Sequence, residues 1–142
     1  MDAQRMESAH SFDNQHGLAT ILLVDDIDLM RELAKKILNN YGYTVLDAKD
    51  GKTGLKIAGE YPGPIHILLA DMFMPAMTGR TVAEHVLASR PGIKVLFMSG
   101  QSIENILSHG GLDPGFGLLR KPFSPESLLG KVSETLGPWP HD

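Results

Sequence analysis

Two patterns of apolar and polar positions alternate along the chain. Residues 20–24, Thr-Ile-Leu-Leu-Val, form a short unbroken apolar run, as expected of a strand buried on both faces. Leu29, Leu33, Ile37 and Leu38 then recur at helical spacing, and Gly42 marks the end of that helix. Residues 43–46 predict a second strand. Residues 52–58 predict a second helix with Leu55 and Ala58 on one face. Pro62, Gly63 and Pro64 break the chain before a third strand at residues 65–70. Val82, His85, Val86 and Leu87 mark a third helix, closed by Arg90, Pro91 and Gly92. A fourth strand follows at residues 93–98. Ile103, Ile106 and Leu107 predict a short fourth helix, cut off by Gly110, Gly111, Pro114 and Gly115. Residues 116–119 read as a fifth strand and residues 124–136 as the last helix. Its Ser124-Pro125-Glu126 start supplies an N-cap and a proline at the first helical position.

Five alternations of double-sided apolar strands with helices predict an α/β fold, a doubly wound parallel sheet with helices on both faces. Right-handed crossovers allow the order 2-1-3-4-5 of a flavodoxin-like domain. The domain is expected to cover residues 19–137, with a short tail at 138–142. Residues 1–18 are polar and lack a sustained apolar period, so they predict a disordered tail in which His10 and His16 are solvated.

Composition narrows the function. A length of 142 residues suits one domain, and a 42% hydrophobic fraction can supply its core. Lys plus Arg number 13 against 17 Asp plus Glu, a net charge of −4. That balance offers no broad basic face for nucleic acid or an anionic membrane. Cysteine is absent, which removes disulfides, zinc thiolates and thiol nucleophiles. The apolar runs are too short to span a bilayer, and the N-terminus lacks a basic-then-apolar signal pattern. The expectation is a cytoplasmic domain that neither enters membranes nor binds nucleic acid.

In a sheet of this order the ligand crevice lies beyond the carboxyl ends of the strands, between strands one and three. Strand one runs into Asp25 and Asp26, strand three into Asp71, strand four into Ser99, and strand five into Lys121. Three carboxylates brought together repel unless protonated or neutralised by a cation. An all-oxygen cluster with room for water suits Mg²⁺. With a lysine and a hydroxyl added, the set makes a site for a phosphoryl group, and a carboxylate can itself be the nucleophile. Taken singly, each residue has a plainer role open to it. Asp26 could cap the first helix, Asp71 could be a loop acid, Ser99 could cap the fourth helix, and Lys121 could be solvated. His66 and His85 lie in apolar patterns and read as packed or partly exposed, not as ligands. Met72, Met74 and Met77 read as packing. Gly51, Gly54 and Gly59 form no phosphate loop.

Taken in order, residues 21–26 (Ile-Leu-Leu-Val-Asp-Asp), 71–79 (Asp-Met-Phe-Met-Pro-Ala-Met-Thr-Gly), 98–100 (Met-Ser-Gly) and 121–123 (Lys-Pro-Phe) resemble the receiver domain of two-component response regulators. Residues 108–115 and the run through Glu126 are most similar to receivers of hybrid sensor histidine kinases. The resemblance covers residues 19–136. It implies that Asp71 accepts a phosphoryl group from a histidine kinase or histidine phosphotransfer protein. It implies Mg²⁺ bound by Asp25, Asp26 and Asp71, with Asp26 favoured as the direct ligand among the first two. The backbone carbonyl of Phe73 would complete the protein ligands. Ser99 and Lys121 would contact the phosphoryl oxygens, and the Lys121–Pro122 bond would be cis. The family often has Tyr or Phe where this chain has Leu118.

The implied protein is a signalling module, not a turnover enzyme for an outside substrate, with output through a partner or an attached neighbour. Two other functions compete. Asp26-Ile27-Asp28 after an apolar strand weakly resembles the nucleophile motif of haloacid-dehalogenase-type phosphatases, which would leave Asp71 without a role. A phosphorylation-independent binding module would leave the whole polar set without one.

Overall fold

The computed structural model describes residues 19–138, and five parallel strands form one sheet in the order β2-β1-β3-β4-β5. The strands are β1 (Thr20–Val24), β2 (Thr44–Ala48), β3 (Ile67–Asp71), β4 (Lys94–Ser99) and β5 (Gly117–Arg120). The helices between and after them are α1 (Asp28–Asn40), α2 (Gly51–Glu60), α3 (Gly79–Ser89), α4 (Ile103–Ser108) and α5 (Pro125–Leu136). The predicted fold class, strand order and five helices are all observed. The expected tail at residues 1–18 and most of the one at 138–142 lie outside the described residues.

Period-two alternation sorts the strand side chains onto two faces. Ile21 and Leu23 of β1 join Ile67, Leu69, Leu96 and Met98 in a core completed by Ala34 and Leu38 of α1 and Leu128 and Val132 of α5. Leu22 and Val24 join Leu68, Ala70, Val95 and Phe97 in a second core, covered by Ala58 of α2, Val82 and Val86 of α3 and Ile106 of α4. The in-register pairs Val24 with Ala70 and Asp71 with Met98 bring the ends of β1, β3 and β4 to one rim.

Helix starts follow from capping. Asp50 accepts from the Thr53 amide, Thr78 from Thr81 and Ser102 from Asn105. Ser124 and Ser127 form a reciprocal capping box. α5 therefore begins at Pro125, with Ser124 as its cap. α2 is longer than predicted at both ends, because Asp50 sets its start at Gly51. His66 is half-buried and accepts the Thr20 amide on Nδ1 at 2.9 Å, and His85 is exposed.

α1 departs from its leucine spacing. Its buried residues are Arg31, Ala34 and Leu38, while Leu29 and Leu33 are 77% and 43% exposed. Arg31 is the cause. Its guanidinium donates to the Asp25 carbonyl at 2.8 Å and to Asp28 Oδ1 at 2.8 Å, and it lies 3.4 Å from Asp47 Oδ2 on β2. These contacts turn the arginine inward and the two leucines out.

Among the described residues, no helix is long and apolar enough to cross a membrane.

Candidate functional site

Three strand ends are built the same way. Asp25 Oδ1 accepts the Ile27 amide at 3.0 Å, Asp71 Oδ1 accepts the Phe73 amide at 3.4 Å, and Ser99 Oγ accepts the Gln101 amide at 2.9 Å. Each side chain thus closes a local turn with the amide two residues on. In the two aspartates this commits one carboxylate oxygen to the chain's own loop. The other oxygen, Oδ2 in both, faces Lys121. The Lys121 Nζ lies 2.9 Å from Asp25 Oδ2 and 3.3 Å from Asp71 Oδ2, and the three side chains are 9% exposed or less. The Lys121 amide donates to the Ser99 carbonyl at 2.9 Å, so β4 positions the lysine. The Lys121–Pro122 bond is cis.

Asp26 completes the cluster. One carboxylate oxygen each from Asp25, Asp26 and Asp71 lie within 4.8 Å of one another. Asp26 does not cap α1: the N-cap is Ile27, and no side chain caps that helix. Ser99 does not cap α4 either, since Ser102 does. Among the described residues, Asp26 Oδ1 is buried without a hydrogen-bond partner, and Asp25 Oδ2 meets the Lys121 charge and no hydrogen-bond donor beyond it. Buried oxygens left without donors are costly unless a cation or proton meets them. Burial pushes the Asp71 carboxyl above the usual carboxylate value, and the nearby Asp25 adds to this. Lys121 and the Phe73 amide pull the other way without cancelling it. One lysine is therefore too little positive charge for this pocket. Clustered carboxylates are hard oxygen donors of the kind Mg²⁺ takes.

Asp28 does not join the cluster. Its carboxylate is 84% exposed and pairs with Arg31.

A family model described as the response regulator receiver domain matches residues 21–133. The chain belongs to this family. Its acidic cluster fits the family's phosphoacceptor pocket, and receivers as a family bind Mg²⁺ there and work with histidine kinases and output domains. The receiver is 38% identical over 120 residues to the sensor kinase CckA of Brucella abortus, covering 84% of this chain and 13% of that protein. It is 28% identical over 116 residues to the response regulator receiver protein CpdR of the same organism, covering 82% and 95%. A crystal structure of the receiver domain of the hybrid histidine kinase CckA superposes with a TM-score of 0.71 at 32% identity, covering 83% of this chain and 99% of that one. The chain spans 13% of CckA and about half, 47% and 51%, of the Bacillus subtilis transcriptional regulatory proteins YrkP and CssR.

Three contacts beside the site were not read from the sequence. Arg31 ties the Asp25 carbonyl to α1 and β2. Gly79 sits against the main chain of Asp71, and its amide donates to the Met72 carbonyl at 3.0 Å. His109, at the end of α4, packs edge-on against Phe73 with ring centroids 5.1 Å apart. Gly79 closes the 71–79 motif quoted for the resemblance, but nothing in that motif assigns it a contact with the Asp71 main chain. Leu118 is partly buried and packs in the core that contains Phe97.

Proposed function

We propose that Asp71 is the phosphoryl acceptor of this receiver and that Mg²⁺ is held by Asp25, Asp26, Asp71 and the backbone carbonyl of Phe73. The observation that carries this is the buried acidic cluster with one lysine facing it, a pocket short of positive charge. The donor is a phosphohistidine on a histidine kinase or phosphotransfer protein. An Asp71 carboxylate oxygen bonds to phosphorus as the bond from phosphorus to the imidazole nitrogen breaks, and the electron pair stays with the imidazole. Mg²⁺ would supply countercharge to the phosphoryl oxygens and to the carboxylates. Lys121 then turns from Asp71 to a phosphoryl oxygen. Ser99 Oγ already accepts from Gln101, so its proton is free to be donated to another phosphoryl oxygen. The product is an acyl phosphate that the same site hydrolyses, and no outside substrate is turned over.

The functional unit is residues 19–137, working in the cytoplasm. Its output passes to a partner or to a neighbour in a longer chain. The test is labelling by acetyl phosphate with Mg²⁺, followed by intact mass. One phosphoryl group is expected on wild type and none on Asp71→Asn or in excess chelator. Equal labelling of Asp71→Asn would overturn the assignment.

A further inference from the structure

Helix α4 buries one side chain, Ile106, while Ile103 and Leu107 are 51% and 65% exposed. Its C-terminal end is fastened by other means. The Gly111 amide donates to the Ile106 carbonyl at 2.9 Å and the Gly110 amide to the Leu107 carbonyl at 3.1 Å. With φ of +101° and +69° at the two glycines, this is a Schellman ending. It fixes the C-cap residue, His109. His109 Nδ1 lies 2.8 Å from the Asn105 carbonyl oxygen. A carbonyl only accepts, so Nδ1 carries the proton and the ring orientation is set.

That oriented ring meets Phe73 at an interplanar angle of 77°, the edge-to-face arrangement aromatic quadrupoles favour. The Phe73 amide in turn donates to Asp71 Oδ1 at 3.4 Å, long for such a bond. From the other side, the Arg80 guanidinium donates to the Gly111 carbonyl. Phe73, Arg80 and His109, with Met72 and Thr78, line a cleft of about 100 Å³ between the β3–α3 segment and the end of α4.

We propose that His109 is a positioning residue for the acceptor site. Its ring holds the ring of Phe73, and through it the Phe73 main chain, whose amide bonds Asp71 Oδ1. The proposal rests on the assignment of Asp71 as acceptor. His109 touches neither Asp71 nor the other carboxylates; it acts through Phe73. Without it, the Phe73 ring loses its edge contact, and the residue-73 backbone samples positions in which its amide no longer meets Asp71 Oδ1.

The experiment measures acetyl phosphate labelling rate by intact mass and Mg²⁺ affinity by titration calorimetry. The proteins are wild type, His109→Ala, His109→Phe, Phe73→Ala and the double variant Phe73→Ala/His109→Ala. His109 is exposed, so the fold tolerates these changes. His109→Ala is expected to slow labelling and weaken Mg²⁺ binding, each by about three- to tenfold, the worth of one aromatic pair. His109→Phe keeps a ring edge but loses the Nδ1–H bond to the Asn105 carbonyl, so its values fall between those of His109→Ala and wild type. The double variant is no slower than Phe73→Ala, because nothing is left for His109 to hold. Wild-type values in His109→Ala, no gain of His109→Phe over His109→Ala, or additive effects in the double variant would each overturn the proposal. A wild type that is labelled while His109→Ala is unaffected removes this inference alone. A wild type that takes no phosphoryl group removes the acceptor assignment and this inference with it.

Discussion

Gly79 packs its Cα against the main chain of Asp71: a Cβ on Gly79 would lie 2.3 Å from the Asp71 carbonyl oxygen and 3.1 Å from Met72 Cα. The demand is for space, and the obstacle is backbone, which cannot rotate aside. The start of α3 is thereby fixed to the end of β3, with the Gly79 amide on the Met72 carbonyl closing the contact. Gly79→Ala is expected to cost about 2–3 kcal/mol in urea denaturation, at the upper range for overpacking, and to slow labelling of Asp71. Gly51→Ala is the comparison. Its obstacles are side chains, not backbone: Met77 Sδ at 2.7 Å, which is flexible, and Val82 Cγ2 at 2.9 Å. Its midpoint should fall less. Equal losses for the two variants would show that the Asp71 main chain yields as easily as a methionine tip.

Asp71 itself is expected to weaken the metal-free fold. Burial, its largest cause, raises the Asp71 carboxyl. A carboxyl raised in the native state contributes stability that is complete below the unfolded value, about 3.9. That contribution is lost as pH rises through the raised native value. At neutral pH the ionised group therefore costs stability, and Asp71→Asn should melt higher than wild type in chelator. The difference should shrink as pH falls towards the carboxylate range, and Mg²⁺ should stabilise wild type more than the variant. Thermal unfolding at a series of pH values reads this directly. A lower melting temperature for Asp71→Asn at neutral pH would reverse the sign assigned here.

Arg31 makes a prediction that separates charge from shape. Its side chain is 11% exposed and serves the Asp25 carbonyl, Asp28 and Asp47 together. Lys35 also reaches Asp47, at 3.1 Å, so that carboxylate keeps one partner if Arg31 is lost. Arg31→Met should cost about 2–3 kcal/mol, mostly through the Asp25 carbonyl and the buried side of Asp47. Arg31→Lys should recover less than half, because an ammonium cannot replace a planar fork that meets three acceptors. Full stability of Arg31→Lys in urea would argue that only the charge matters.

The sheet was legible because a strand buried on both faces has few spellings, and Ile21 to Val24 and Ile67 to Ala70 use them. The site was legible because its polar residues follow those runs directly, so the topology brings them to one rim. Arg31 was not. It stands beside Glu32, Lys35 and Lys36, and such a stretch reads as a solvated face. Its burial depends on Asp47, which only the pairing of β2 with β1 brings near. The outward turn of Leu29 and Leu33 follows from the same contact. Gly79 lies within the 71–79 motif, but its contact with the Asp71 main chain needs the folded turn, and the role of His109 depends on an approach to the Phe73 ring from a distant segment that no local pattern encodes.

Lys121 tests whether the pocket is held by its electrostatics. It is the cation facing both Asp25 Oδ2 and Asp71 Oδ2, at 2.9 Å and 3.3 Å. Lys121→Met keeps much of the stem and removes the charge, leaving two buried carboxylates facing each other. Breaking such a pair should cost about 2–4 kcal/mol at neutral pH in chelator. The cost should fade as the pH drops and Asp71 takes up a proton, since Lys121 is the larger of the two partners that draw the burial-raised Asp71 back down, the Phe73 amide being the other. In an Asp71→Asn background one of the two repelling charges is already gone. There Lys121→Met should cost less by at least about 1 kcal/mol, the coupling expected of residues in contact. Thermal unfolding of wild type, the two single variants and the double variant closes the cycle. Identical costs in the two backgrounds would mean that the 3.3 Å contact carries no energy, and that Asp25 alone is what the lysine neutralises.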